Sequence, residues 1–363
     1  MSRSTRIFGE PVPAGPTPGS TSSVADRATA RWPRPLLALA AATAVTTLAV
    51  TVLAVADHTQ VTGVDRWLKP WKFSVSITFY VLTLAWMSRL VRRRRRSALA
   101  VSGLAGGLLG LELVIIIVQA ARGRASHFNT ATALDARLFS VMGMLIVLVW
   151  LATLVLALLL LRERIAGAGL ATGLHWGLTV TLAGMVSAAF MVEPLNRWAE
   201  TRAGGPPSAG SGSHTIGALD GGPGLPLLGW STVAGDLRIG HFVGLHALQL
   251  LPLLGWLLDR ATTRLTDRQR RRMVRTVGLG YLGIVALLIW QALRGESLVH
   301  PGGLTLVVLA GLAAAVVIAL AWALRPPVPL PARGPAAIPR PRAEMPEASE
   351  GTAPGPSRRT PAE

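Results

Sequence analysis

Residues 137–161 read RLFSVMGMLIVLVWLATLVLALLLL, and no side chain between Arg137 and Arg162 carries a charge. About 20 consecutive apolar residues cross the ~30 Å hydrocarbon layer as a helix, which satisfies its own backbone groups where no water can. This stretch therefore predicts a transmembrane helix. Working outward from it, comparable runs lie at 35–57, 71–91, 98–121, 168–192, 239–258, 274–295 and 302–324. The expected fold class is all-α: a polytopic transmembrane helix bundle of about eight spans.

Composition agrees with that reading. Of 363 residues 51% are hydrophobic and 15% charged, and the mean hydropathy is +0.47, which excludes an ordinary soluble globular protein. The chain has no cysteine, so disulfides, thiolate metal sites, cysteine nucleophiles and iron–sulfur clusters are excluded together.

The net charge of +18 comes from 36 Lys and Arg against 18 Asp and Glu. With the N-terminus placed inside, 26 of the 36 basic residues fall on the inner side, chiefly in Arg92–Arg96, Arg268–Arg275 and the two tails. Basic residues in short connections stay on the cytoplasmic side, so both termini are expected to be cytoplasmic, in the plasma membrane. Each arginine run abuts a span and has no interleaved aromatic residue, which suits contact with anionic lipid and argues against nucleic acid.

Residues 1–34 and 325–363 are rich in Pro, Ala, Gly, Ser and Arg and are expected to be disordered tails, leaving 35–324 as the membrane domain. Ala54-Val55-Ala56 has the small-x-small form of a signal-peptidase site, but the apolar run before it is long enough to be kept as a span. No internal repeat is evident. The one long connection, 193–238, divides into a flexible-looking GGPPSAGSGSH (204–214) and an apolar GLPLLGWSTVAGDLR (224–238), which is expected to fold back and cap the bundle.

Six of the seven histidines fall on the outer side: His58, His127, His214, His241, His246 and His300. His246 is expected about 10 Å below the outer boundary and Glu112, the only acid inside a span as drawn, about 14 Å below it. An intramembrane acid is expensive unless it is paired, protonated or facing the bundle interior, so Glu112 is a site candidate. Gln119 and Arg122 continue its face toward the mouth. Lys69 and Lys72, the only lysines, open the second span, where Ser76 and Tyr80 follow Lys72 at helical spacing.

The candidate chemical groups are Glu112 as proton acceptor, with Lys72 and Arg238 orienting an anionic or lipid-derived substrate. His127, His241 and His246 are candidate ligands for a metal or haem. His241 and His246 are five residues apart, about 140° around a helix, and do not share a face. No HExxH, HxxxH or cysteine pattern supports them.

The segments Lys69-Pro70-Trp71-Lys72-Phe73, Ala121–Asn129 (ARGRASHFN) and GWSTVAGDLRIGHFVGLHALQLLPL (229–253) resemble an uncharacterised family of polytopic bacterial integral membrane proteins. The resemblance spans roughly residues 60–295 and implies a multi-pass membrane protein; it brings no activity. Three functions remain open at this stage: a metal- or haem-binding membrane enzyme, a transporter of a proton, ion or small solute, and a sensor or scaffold without chemistry.

Overall fold

The computed structural model describes residues 32–204, 210–261, 264–325 and 355. The expected tails lie almost wholly outside the described residues. Among the described residues eight helices are long and apolar enough to cross a membrane. In chain order they are α1 (Arg34–Ala56), α2 (Leu68–Leu90), α3 (Arg95–Ala121), α4 (Ala133–Leu161), α5 (Ala168–Val186), α7 (Leu237–Ala261), α8 (Asp267–Leu293) and α9 (Gly303–Ala323). A short helix, α6 (Leu195–Ala203), lies in the long connection. The architecture is thus a helical bundle whose long apolar helices fit a multi-pass membrane protein.

Two helices begin earlier than their apolar runs because polar residues cap them. Thr132 accepts a hydrogen bond from the Asp135 N–H and starts α4 four residues before Arg137. Thr266 and Gln269 form a capping box that starts α8 through the charged DRQRRR segment.

We call the two ends of the bundle the histidine end, which carries the 193–238 connection, and the arginine end, which carries Arg92–Arg96 and Arg268–Arg275. The helices pack as two groups of four, α1 to α4 and α5 with α7 to α9. Within the second group α5 and α7 make the closest approach. A Cβ on Gly184 would lie 2.7 Å from the Gly244 Cα, so only glycine permits the two backbones to touch there.

Toward the arginine end the groups are joined by a shared core of Leu84 and Met87 from α2, Leu156 and Leu160 from α4, Leu174 and Leu178 from α5 and Leu248 from α7. Trp150 Nε1 marks the top of the α4–α5 contact, donating to the Leu182 carbonyl at 3.2 Å. Above this level the groups diverge.

A compact layer closes the histidine end. The 3-10 turn Ser187–Met191, α6, and the antiparallel strands β3 (Thr215–Ile216) and β4 (Gly235–Asp236) pack Met191, Ala199, Ile216, Leu237 and Ala292 together. The flexible linker expected at 204–214 falls in part outside the described residues. Its described end is ordered: Ser211 N–H donates to the Phe128 carbonyl and the Ser211 carbonyl accepts from Glu193 N–H. A small hairpin, β1 (Gln60–Val61) with β2 (Val64–Asp65), completes the layer.

Candidate functional site

The divergence of the two groups leaves a cavity of about 1680 Å³ at the histidine end. Its walls have two characters. Lys69, Lys72, Arg124, His127, His214, Asp220, Arg238 and His241 line the part nearer the mouth, whereas Ile146, Val147, Trp150, Met185, Val186 and Leu245 line an apolar part between α4, α5 and α7. Glu112 of α3 also contributes to the wall.

Glu112 is 1% exposed, and among the described residues its Oε2 has no hydrogen-bond partner. Its nearest charge-capable neighbour, His127 Nε2, stands 3.9 Å from Oε1, beyond hydrogen-bond reach. The ring of His127 is held by Ser126 Oγ, 3.0 Å from Nδ1, and by the flanking aromatic rings of Phe73, Phe128 and Phe139. Burial pushes the His127 imidazole well below its ordinary pKa, and Lys69, His214 and His241 add to the effect. That shift favours the neutral ring, whose lone pair can accept a hydrogen bond.

A second imidazole lies beside it: the His127 and His214 ring centroids are 6.4 Å apart. His214 Nδ1–H donates to Asp220 Oδ2 at 2.6 Å, which leaves Nε2 as the lone-pair nitrogen. Asp220 also accepts from Thr215 N–H at 2.9 Å, from His214 N–H and from Ser213 Oγ. Donors on all sides hold its carboxyl far below the usual carboxylate range despite burial. Burial lowers His214 in turn, partly opposed by Asp220.

The expected residues separate on inspection. Lys72, Glu112, His127, Arg238 and His241 all line the cavity. Arg238, however, is engaged by Asp236: its Nε donates to Oδ1 at 2.9 Å and Nη2 to Oδ2 at 2.5 Å. Arg238 also donates to the Gly229 carbonyl at 2.6 Å, while Lys72 Nζ donates to the neighbouring Leu228 carbonyl at 2.8 Å. The 224–238 segment thus caps the cavity as its sequence suggested, gripped by one cation from each helix group. Lys69 lines the same wall with no ion pair among the described residues.

The trio His127, His241 and His246 is not assembled. His241 Nδ1 donates to the Gly184 carbonyl at 2.8 Å and borders the cavity. His246 lies in a separate groove of about 290 Å³ with Val243, Gln249 and Tyr281. Phe242 stands between, its ring 4.2 Å from that of His246. The physical reason is the helical offset between the two positions. Among the described residues no group of three His, Asp or Glu is placed to hold a metal ion.

The polar face expected to run from Glu112 to the mouth is likewise divided. Gln119 and Arg122 bond to Asp135, whose side chain is fully buried, and tie the end of α3 to the start of α4. Tyr80 pairs with Thr153 at 2.7 Å, joining α2 to α4. The pair His214 and Asp220 went unrecognised as a unit because both fall in the long connection; their closeness in sequence to the turn residues Gly217, Gly221 and Gly222 was the available signal.

No family model, no curated protein and no solved structure matches the chain.

Proposed function

We propose that the protein is an integral membrane enzyme that binds an anionic, lipid-derived substrate in the cavity at the histidine end, with that end facing outward and both termini in the cytoplasm. The observation that carries the reading is the continuity of a cationic, imidazole-lined compartment with an apolar one inside a single cavity. Lys69 and Lys72 attract the acidic head group, and Arg124 at the exposed rim adds charge. The apolar walls on α4, α5 and α7 receive hydrocarbon, since removal of such surface from water is the main favourable contribution to ligand binding. Glu112, His127 and His214 are the groups able to take or give a proton beside the bound head group. Arg238 acts at one remove, by holding the cap.

A transport path has less support, because the core of Leu84, Met87, Leu156, Leu160 and Leu174 fills the bundle below the cavity.

Purified protein titrated with oleate and, separately, with oleyl alcohol tests the reading through the shift in thermal unfolding. Oleate is expected to stabilise and the alcohol not to, and Lys69→Gln with Lys72→Gln is expected to weaken oleate at least tenfold, about 1.4 kcal/mol. Equal stabilisation by both ligands, or an unchanged oleate response in the double variant, would overturn it.

A further inference from the structure

Between α4 and α5 the cavity is lined by residues that also carry large exposure. Below, Trp150 seals the seam against Leu182. Above Trp150, Ser140, Gly143 and Val147 on α4 line the cavity and are exposed. Across from them Val186, Ala189 and Val192, at the end of α5 and in and after the 3-10 turn, do the same. Val147 is 58% and Val186 55% exposed, although both belong to the cavity lining. From Ser140 to Trp150 the seam runs for about 15 Å along α4.

Its rims are apolar apart from Ser140, and they lie on helices of the length and composition that cross a bilayer. Water has little to gain at such an opening, whereas a hydrocarbon chain does. The cation-lined compartment adjoins the inside of the seam, so charge complementarity selects an amphiphile whose head is acidic. We infer that the α4–α5 seam is a lateral portal through which an acidic bilayer amphiphile enters the cavity, head group toward Lys69, with its hydrocarbon chain lying between Val147 and Val186.

This inference rests on the anionic-ligand reading above, and the test separates the two. Because the chain has no cysteine, a single introduced thiol can be labelled without further substitution. Val147→Cys and Val186→Cys report from the two rims, and Val307→Cys on α9, which is 68% exposed and outside the cavity lining, reports ordinary lipid contact. Each is labelled with bimane and reconstituted in phosphatidylcholine vesicles, and quenching by a low mole fraction of stearate carrying a nitroxide at carbon 5 is measured. Saturable quenching at both rims, about threefold above that at Val307 and reversed by unlabelled stearate, is the expected result. Quenching equal at all three positions overturns the portal. Rim quenching that survives Lys69→Gln supports a chain in the seam while overturning recognition of its head. Stabilisation of the solubilised protein by stearate without excess rim quenching leaves the anionic site standing and overturns lateral entry.

Discussion

Replacement of Arg238 by alanine separates the two roles that its position allows. In the structure the guanidinium meets Asp236 through two hydrogen bonds of 2.9 and 2.5 Å, and the Asp236 side chain is completely buried. Removing one partner of a buried ion pair costs about 3–5 kcal/mol, because the other charge is stranded. Two donors would remain on Asp236, the N–H groups of Ser231 at 2.8 Å and of residue 238 at 3.0 Å, and Arg238 is itself 28% exposed. These place the cost near the lower end, about 3 kcal/mol. The same substitution releases the Gly229 carbonyl, so the loss is expected in the cap first. Amide exchange of Leu225 and Gly229, which bond to Trp230 and Leu225 across the cap, reads it directly. About 3 kcal/mol corresponds to roughly a hundredfold faster exchange. Adding Asp236→Asn removes the stranded charge and should recover about 1–2 kcal/mol. A single variant with less than about fivefold faster exchange, or a double variant no slower than the single, would refute the argument and return the Arg238 charge to the substrate.

Three other outcomes follow from the same geometry. Gly184→Val places a branched side chain against the Gly244 backbone and is expected to lower stability by at least ~1–3 kcal/mol, seen as a lower unfolding temperature in detergent. Leu160→Ala, at a fully buried position of the shared core, should cost about 2–5 kcal/mol while leaving oleate binding to the folded protein unchanged; a weakened oleate response would show that the core and cavity are coupled. His127 and His214 are held below the ordinary imidazole pKa, so as pH falls from about 6.5 the unfolded chain gains protons that the folded one refuses and stability declines. His127→Gln should flatten the decline between about pH 6.5 and 5, and an unchanged profile would place the pH dependence elsewhere.

The spans were legible because apolar length is read without knowledge of neighbours, and the cap at 224–238 was legible as an apolar segment in a connection, although Leu227 stays 67% exposed. Helix starts precede the apolar runs at 133 and 267, where Thr132 and Thr266 extend helices through residues too polar for a hydropathy window. Side-chain partners were harder still. Glu112, Lys72 and His127 stood out by rarity or depth, and all three reach the cavity. His246 stood out for the same reason and does not, since depth along a helix says nothing about which neighbour a face meets. The role of Arg238 depended on whether Asp236 turned toward it, which the strand pairing of Asp236 with Thr215 decides and no local pattern displays.

The packed core beneath the cavity has an energetic consequence. Leu84, Met87, Leu156, Leu160 and Leu174 pack into one apolar cluster on the arginine side of the cavity, so on the function proposed above a proton gained or lost by Glu112 or His127 would exchange through the cavity mouth. Such a proton would cross only part of the bilayer and then retrace its way, so the transmembrane voltage would do no net work over a complete cycle. The acid–base chemistry proposed for this cavity would then be set by the pH of the compartment it faces and would run without drawing on the ion gradients of the cell.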